Sequence, residues 1–372
     1  MKYICYYDKK NNENRNYTLA ATNKMDYIIS TFNKIGINMD LISASRCLRK
    51  NKGKSRYEKL NNDNTLKLFK SIGGNKIIRA FDKLRHSFLF FNYLLFKIKK
   101  DELVLCYHSL GYYKIISLLK KIKKFKLILE VEEIYADVME NEKIRKKELE
   151  YIDLADAYIF PTNLLNNEIN KSNKPYIIVH GTYKVEKQVS NKFNDSKKHI
   201  VYAGTFDPRK GVIATVNTAK FLSSNYHVHI LGFGSQQQIK NVKKLIDEVK
   251  KMSYAEISYE GLKSGEEYIK FIQACDIGLS TQNPNAAFNN TSFPSKILSY
   301  MSNGLRVVSV KIPAIENSEI GKYMYYYDNQ EPEEIAKAIL NVDLNDDYDS
   351  RNIIHNLDEQ FSKQLCKMIK SL

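Results

Sequence analysis

Short apolar runs alternate with stretches in which apolar residues recur every three or four positions, and the chain makes this pass twice. Apolar runs of about 4–8 residues read as buried strands, and the longer period reads as helices with one apolar face. The first pass places strands at 2–8, 38–43, 103–108, 126–131, 157–161 and 176–179. It places helices near 18–34, 76–100 and 112–121, and a hairpin over 56–69 turning at Asn61-Asn62-Asp63-Asn64. Residues 184–198 are polar and without period, as a linker would be. The second pass gives strands at 199–203, 227–231, 256–259, 277–280, 305–310 and 324–327. Its helices fall at 211–223, 235–251, 265–275, from Pro294 to the stop at Gly304, from Pro332, and at 351–371.

This order predicts two α/β domains, each a doubly wound parallel sheet, with a cleft between them. The boundaries read from the sequence are 1–183, a linker 184–198, a second domain 199–350, and a terminal helix 351–372. Ligands of such sheets bind outside the carboxyl ends of the strands. A length of 372 residues fits two cores better than one. Five scattered cysteines, Cys5, Cys47, Cys106, Cys275 and Cys366, fit a reducing cytoplasm and offer no paired spacing. No signal-peptide core and no run of about 18 apolar residues is present, so a cytoplasmic protein is expected.

Charge changes the picture. Of the net +16, residues 1–183 hold 34 Lys+Arg against 20 Asp+Glu, which is +14, and the rest hold 24 against 22, which is +2. A basic half beside a near-neutral half points to one anionic partner, a membrane face or a polyphosphate. No nucleic-acid-binding motif accompanies the charge, so no specific nucleic acid is expected. Ser87 to Phe96 is strongly apolar and runs into Lys97, Lys99 and Lys100, and the helix over 112–121 leads into Lys120, Lys121, Lys123 and Lys124. Either is a docking surface for the inner face of the membrane or a buried helix with a solvated basic end.

Candidate chemistry gathers in the second half. Asn289 to Gly304 joins a polar loop to a helix, and Lys296 places a cation in the first turn, where the helix dipole opposes it. An anion in front of that helix explains the placement. Val201 to Gly211 is a strand, a turn at Gly204-Thr205 and a helix start carrying Lys210. Gly232 and Gly234 make a second strand-to-helix turn, and Gly261-Leu262 a third. In the first half His108 ends one strand, and Glu130, Glu132 and Glu133 lie in the next strand and its exit, with Glu130 and Glu132 on one face. They are candidates for acceptor binding or for a base. Asp346, Asp347 and Asp349 read as a solvated turn, no zinc-ligand spacing appears, and no metal is assigned.

The ordered set Y-A-G-T-F-D-P-R-K-G, L-G-F-G, E-G-L and F-P-S-K-I-L-S-Y-M-S-N-G-L-R-V-V resembles the C-terminal half of family-4-type retaining glycosyltransferases of the GT-B fold. The likeness covers most of 199–341 and is weaker over 1–183, where A-D-A-Y-I-F-P-T and His180-Gly181-Thr182 are its marks. It implies two Rossmann-like domains facing a cleft, and a last helix crossing back to the first domain. It also implies a nucleoside diphosphate-sugar donor on the second domain, a polysaccharide or lipid-linked glycan acceptor on the first, and neither metal nor cofactor. Position by position, it assigns donor contacts to Gly204, Thr205, Lys210, Gly232, Gly234, Gly261, Leu262, Asn290, Thr291, Ser292, Phe293, Ser295, Lys296 and Ser299. Catalytic roles fall to Lys210, Lys296, Glu132, Glu133 and His108, and acceptor contacts to Asn14, Arg15 and Asn16. Two family glutamates, with seven residues between them in the motif, are replaced here by Thr291 and Ser299, and an arginine by Thr205. That departure keeps two other expectations open: a sugar-nucleotide-binding partner without turnover, and a nucleotide-sugar epimerase on the same fold.

Overall fold

Sixteen strands among the described residues assemble into two mainly parallel sheets and a two-stranded ribbon. The computed structural model describes residues 1–9, 12–60, 63–139, 141–286, 289 and 291–372, with the side chains of Leu19, Ala20 and Val138 excepted. Two units emerge: Met1–Val179 together with Gln360–Leu372, and His180–Glu359. The sequence placed the first boundary at 183 instead, and kept 351–372 apart.

In the first unit the strands are β1 (Lys2–Cys5), β2 (Asp40–Ser43), β3 (Lys52–Gly53), β4 (Arg56–Lys59), β5 (Thr65–Leu68), β6 (Ser71–Ile72), β7 (Leu103–Tyr107), β8 (Lys126–Glu130), β9 (Ala157–Phe160) and β10 (Tyr176–Ile178). The large sheet runs β10-β9-β8-β7-β1-β2-β5-β4, parallel except for β4, which pairs antiparallel with β5 as the hairpin reading expects. The turn residues Asn61 and Asn62 lie outside the described residues. Helices α1 (Leu19–Lys34), α2 (Lys76–Lys97), α3 (Tyr113–Lys123), α4 (Tyr135–Val138), α5 (Glu142–Ile152) and α6 (Asn163–Ile169) accompany it. Thr18 and Asn75 cap α1 and α2 with their side-chain oxygens, which ends the ambiguity of both starts. Helix α5 was absent from the sequence reading because its charged residues mask the few positions, Glu148, Tyr151 and Ile152, that it buries.

The second unit holds β11 (Lys198–Thr205), β12 (Tyr226–Phe233), β13 (Glu256–Gly261), β14 (Ile277–Ser280), β15 (Arg306–Val310) and β16 (Tyr325–Tyr327) in the order β13-β12-β11-β14-β15-β16, all parallel. Its helices are α7 (Val212–Thr218), α8 (Gln236–Lys250), α9 (Gly265–Ala274), α10 (Lys296–Ser302), α11 (Pro313–Glu316) and α12 (Pro332–Leu340). The last helix, α13 (Ser350–Ser371), belongs to the second unit up to Glu359 and to the first from Gln360. Helix α10 starts at Lys296, two residues after Pro294, and is two turns long. A dipole this short contributes little, so an anion in front of this helix would depend mainly on the lysine itself.

Tyr300 fixes α10 to the sheet. Its ring is fully buried against Gly278 in β14, its hydroxyl accepts from the Ala203 N–H at 2.9 Å, and it donates to the Leu279 carbonyl at 3.3 Å. A Cβ on Gly278 would lie 2.3 Å from the ring. Gly278→Ala should therefore lower unfolding stability by ~1–3 kcal/mol through overpacking, read as a fall in the urea midpoint at constant slope. An unchanged midpoint would show that Tyr300 can withdraw and that α10 is not pinned there.

Candidate functional site

Three turns line up at the carboxyl ends of three neighbouring strands. Gly204 of β11 stands in register with Gly232 of β12, and Leu231 with Gly261 of β13. Gly232 has φ +152, and a Cβ on it would fall 1.9 Å from the Gly204 carbonyl oxygen, so only glycine lets the two turns approach this closely. Gly234 lies just before Ser235, which caps α8 in a reciprocal box with Gln238. Gly261 has φ +75 with open space around it, and Leu262 beside it is exposed.

Lys296 points into this row. Its stem is partly exposed, but its ammonium nitrogen is buried and has no hydrogen-bond partner. The nitrogen sits 4.1 Å from the centroid of the Tyr202 ring, and a Cβ on Gly204 would lie 3.2 Å from it. A cation over a ring face gains some attraction, but not enough to replace lost water. Burial, and then the neighbouring charge of Lys210, push the Lys296 ammonium down to about 7. Folding is thus penalised by this group below pH 7 and relieved as pH rises from about 7 towards its ordinary value of 10.5. A buried, unpaired cation near a second one favours an anion beside it electrostatically.

Lys210 ends a short 3₁₀ turn, Pro208–Lys210, capped by the Asp207 side chain. Its carbonyl accepts from the Thr281 hydroxyl at 3.4 Å, and Gln330 holds the Thr281 carbonyl in turn, so the loop is tied to β14. Thr205 ends β11, where its carbonyl accepts from the Tyr202 hydroxyl at 2.8 Å. Ser299, one turn along α10 from Lys296, shares a 3.0 Å hydrogen bond with the Tyr268 hydroxyl. Thr291 and Ser292 are half-buried in the approach to α10, Ser295 is exposed, and Asn290 lies outside the described residues. The Phe293 ring is buried and stacks on His180 at 4.5 Å, so its side chain braces the loop where a donor contact was expected.

The first unit redistributes its candidates. His108 is in the core, stacked between Tyr135 and Tyr151 with Nε2 3.2 Å from Glu148. Desolvation pushes it down to about 3, so it is neutral and has no face open to an acceptor, contrary to the sequence expectation. Arg15 is likewise corrected. It is buried, donating to the Ser45 and Lys54 carbonyls at 2.9 and 3.0 Å and pairing with Glu13, and is spent on holding the loop. Asn14 takes a left-handed conformation and accepts from Leu48 N–H, while Asn16 Oδ1 accepts from Arg46 N–H. Glu132 is ion-paired with Lys24 at 2.5 Å, and Glu133 is half-buried and engaged. Fully buried Glu130 accepts from the Tyr3 hydroxyl and is pushed up to about 7 by burial and then by Glu132. Sequence reasoning missed a cavity of about 130 Å³ at the ends of β1, β2 and β7, lined by Tyr6, Arg46, Lys83, His86, Gly111 and Tyr112. Its cations sit in segments with no motif, so only the pairing of distant strands reveals it.

Residues 197–344 match the sequence family described as Glycosyl transferases group 1. No curated protein sequence matches the chain. Among solved structures, the chain is similar to the trehalose-6-phosphate synthase OtsA, at TM-score 0.67 and 10% identity, covering 100% of this chain and 98% of that one. It is similar to the lipopolysaccharide outer core galactosyltransferase WaaB in its apo form, at TM-score 0.65 and 15% identity, covering 100% and 99%. An α,α-trehalose 6-phosphate synthase from Burkholderia multivorans gives TM-score 0.60 at 9% identity, covering 99% and 94%. At such identities the likeness is one of fold, and the fold is GT-B.

An anion that settles on Lys296 must raise its pKa from about 7, so binding takes up a proton. Calorimetry with inorganic diphosphate in buffers of different ionisation enthalpy should show uptake of about half a proton at pH 7. Affinity should fall as pH rises from 7 to 9, and Lys296→Ala should abolish the uptake. Binding without proton uptake in the parent protein would remove Lys296 from the anion site.

Proposed function

We propose that this chain, a GT-B protein with a glycosyl transferases group 1 domain over residues 197–344, moves a sugar from a nucleoside diphosphate-sugar to a glycan acceptor. The observation that carries the reading is the buried, unpartnered ammonium of Lys296 beside Gly204. A diphosphate seated there meets two lysines at once. As the sugar leaves, charge grows on the diphosphate, and Lys296 and Lys210 stabilise it more than they stabilise the intact donor. The Gly232 and Gly261 turns leave a low rim along which a nucleoside can lie. Thr291 and Ser299 offer neutral hydroxyls to the sugar and ribose in place of carboxylates, with bonds about half as strong as charge-assisted ones. The acceptor falls to the first unit, with Arg46 and Lys83 in the cavity favouring an anionic or phosphate-bearing one.

The same reading includes a membrane face. Helix α2 buries Asp82, His86, Phe90 and Leu94 on one side and exposes Ile77, Phe81, Leu84 and Phe88 on the opposite side. Four residues one helical turn apart make a continuous apolar stripe, which a solvated surface does not need. Lys76, Lys83, Lys97, Lys99 and Lys100 flank it and are exposed. Lys120 is not part of this set, because it is paired with Asp156. Among the described residues no helix is long and apolar enough to cross a membrane. An interfacial helix over anionic lipid fits this pattern, and a lipid-linked acceptor would be met there.

Either Lys210→Ala or Lys296→Ala should weaken nucleoside diphosphate binding by ~1.5–3 kcal/mol. With a panel of UDP- and GDP-sugars and membrane lipid extract as acceptor source, the parent should release nucleoside diphosphate only when extract is present. Tight donor binding with no release under any acceptor would favour a binding partner without turnover, and an isomerised donor an epimerase.

Co-sedimentation with vesicles should require phosphatidylserine and fall between low and physiological salt. Phe81→Glu with Phe88→Glu should abolish it while leaving diphosphate affinity intact, since both side chains are exposed. Binding indifferent to lipid charge, or unchanged in the double variant, would refute the membrane face.

A further inference from the structure

Three of the seven histidines meet at one place, on the amino-terminal half of the second sheet. Strand register pairs His199 of β11 with His227 of β12, and the two-residue period puts His229 on the same face. One ring nitrogen of each lies within 4.8 Å of the others. His199 and His229 are buried and His227 is half-buried. Phe193 stacks on His199 at 4.1 Å and on His229 at 5.3 Å, and Phe271 meets His229 edge-on, so the inner side of the cluster is apolar.

Proton bookkeeping makes the cluster unusual. His199 Nε2 is 2.9 Å from Asp195 Oδ1, and His229 Nδ1 is 2.9 Å from Glu260 Oε1. Carboxylates only accept, so both outward nitrogens carry their protons. The inward nitrogens, His199 Nδ1 and His229 Nε2, then present two lone pairs to each other across 2.9 Å. Something positive has to lie between them. We propose that it is a divalent transition metal of the zinc class, held by His199 Nδ1, His229 Nε2 and His227 Nε2, which now lies 2.8 Å from the Ser258 hydroxyl and would exchange that contact for the metal, with a fourth position for water. In a tetrahedral site with bonds of about 2.0–2.1 Å the nitrogens stand about 3.3 Å apart, a small opening from the present separation. Glu256 Oε2 is 3.2 Å from His227 Nδ1, and Asp195 and Glu260 complete carboxylate–histidine pairs of the kind that fix ring orientation and raise ligand basicity. No carboxylate is needed for charge at the sugar-donor edge, which lies about 16 Å further along β11. The site is structural: it clips the segment carrying Phe193 and Asp195 to the sheet.

Cobalt titration of the chelator-treated full chain tests this. One Co²⁺ per chain is expected, with the intense visible absorption of a tetrahedral ion, displaced by Zn²⁺. Asp195→Asn should weaken Zn²⁺ binding by about 10–100-fold, and His227→Asn should abolish the tetrahedral spectrum. Inorganic diphosphate binding, far from the cluster, reports that each variant is folded. A weak octahedral spectrum in the parent, or a tetrahedral one that survives in His227→Asn, overturns the site. So does failure to bind Zn²⁺ alongside an imidazole proton shared between His199 and His229 in the proton spectrum, which would mean that a proton is the only occupant.

Discussion

Burying a lysine ammonium without a partner is a large electrostatic expense, and the carboxyl edge of the second sheet is arranged around it. Tyr300 fixes the helix that carries Lys296, Gly278 makes room for Tyr300, and Gly204 and Tyr202 leave the ammonium just enough space. Thr281 and Gln330 hold the Lys210 loop in place close by. The stability lost in the free protein is returned when an anion arrives, so the site is built before its ligand and does not have to form around it.

Much of this was legible in the chain. The two-residue and 3.6-residue periods placed the major strands of both sheets, and Pro, Gly and Asn placed several of the turns. Lys296 stood out because a cation in a first helical turn conflicts with local preference, and local conflicts of this kind gather where function is. The helix beginning at Pro294 was misplaced by two residues, since proline marks the turn into a helix as well as its first position.

What stayed hidden depends on contacts between distant segments. His108 at a strand end and Arg15 between two asparagines looked like ligands, but whether a polar side chain faces a cleft or the core is set by partners such as Tyr135, Tyr151 and Ser45. The apolar run Ser87 to Phe96 fitted a docking surface as well as a buried helix, and only the packing of Phe90 and Leu94 shows that the helix has a second apolar face, with Phe81 and Phe88 turned outwards. The histidine cluster carries no spacing signature, because the register of two parallel strands brings it together.

Helix α13 has a consequence for how the molecule comes into being. The first unit needs residues 360–372, in which Phe361 and Leu365 are buried and Phe361 stacks on Tyr27 of α1 at 5.7 Å. Those residues follow the unit's other part by the whole of 180–359. At a synthesis rate of about 5–20 residues per second, the nascent first sheet waits roughly 10–40 s for its last layer. During that time the apolar surface that α13 covers joins the outward stripe of α2 in facing water or a chaperone. The unit made first is therefore the one finished last, and the second unit can be complete while the first is still open.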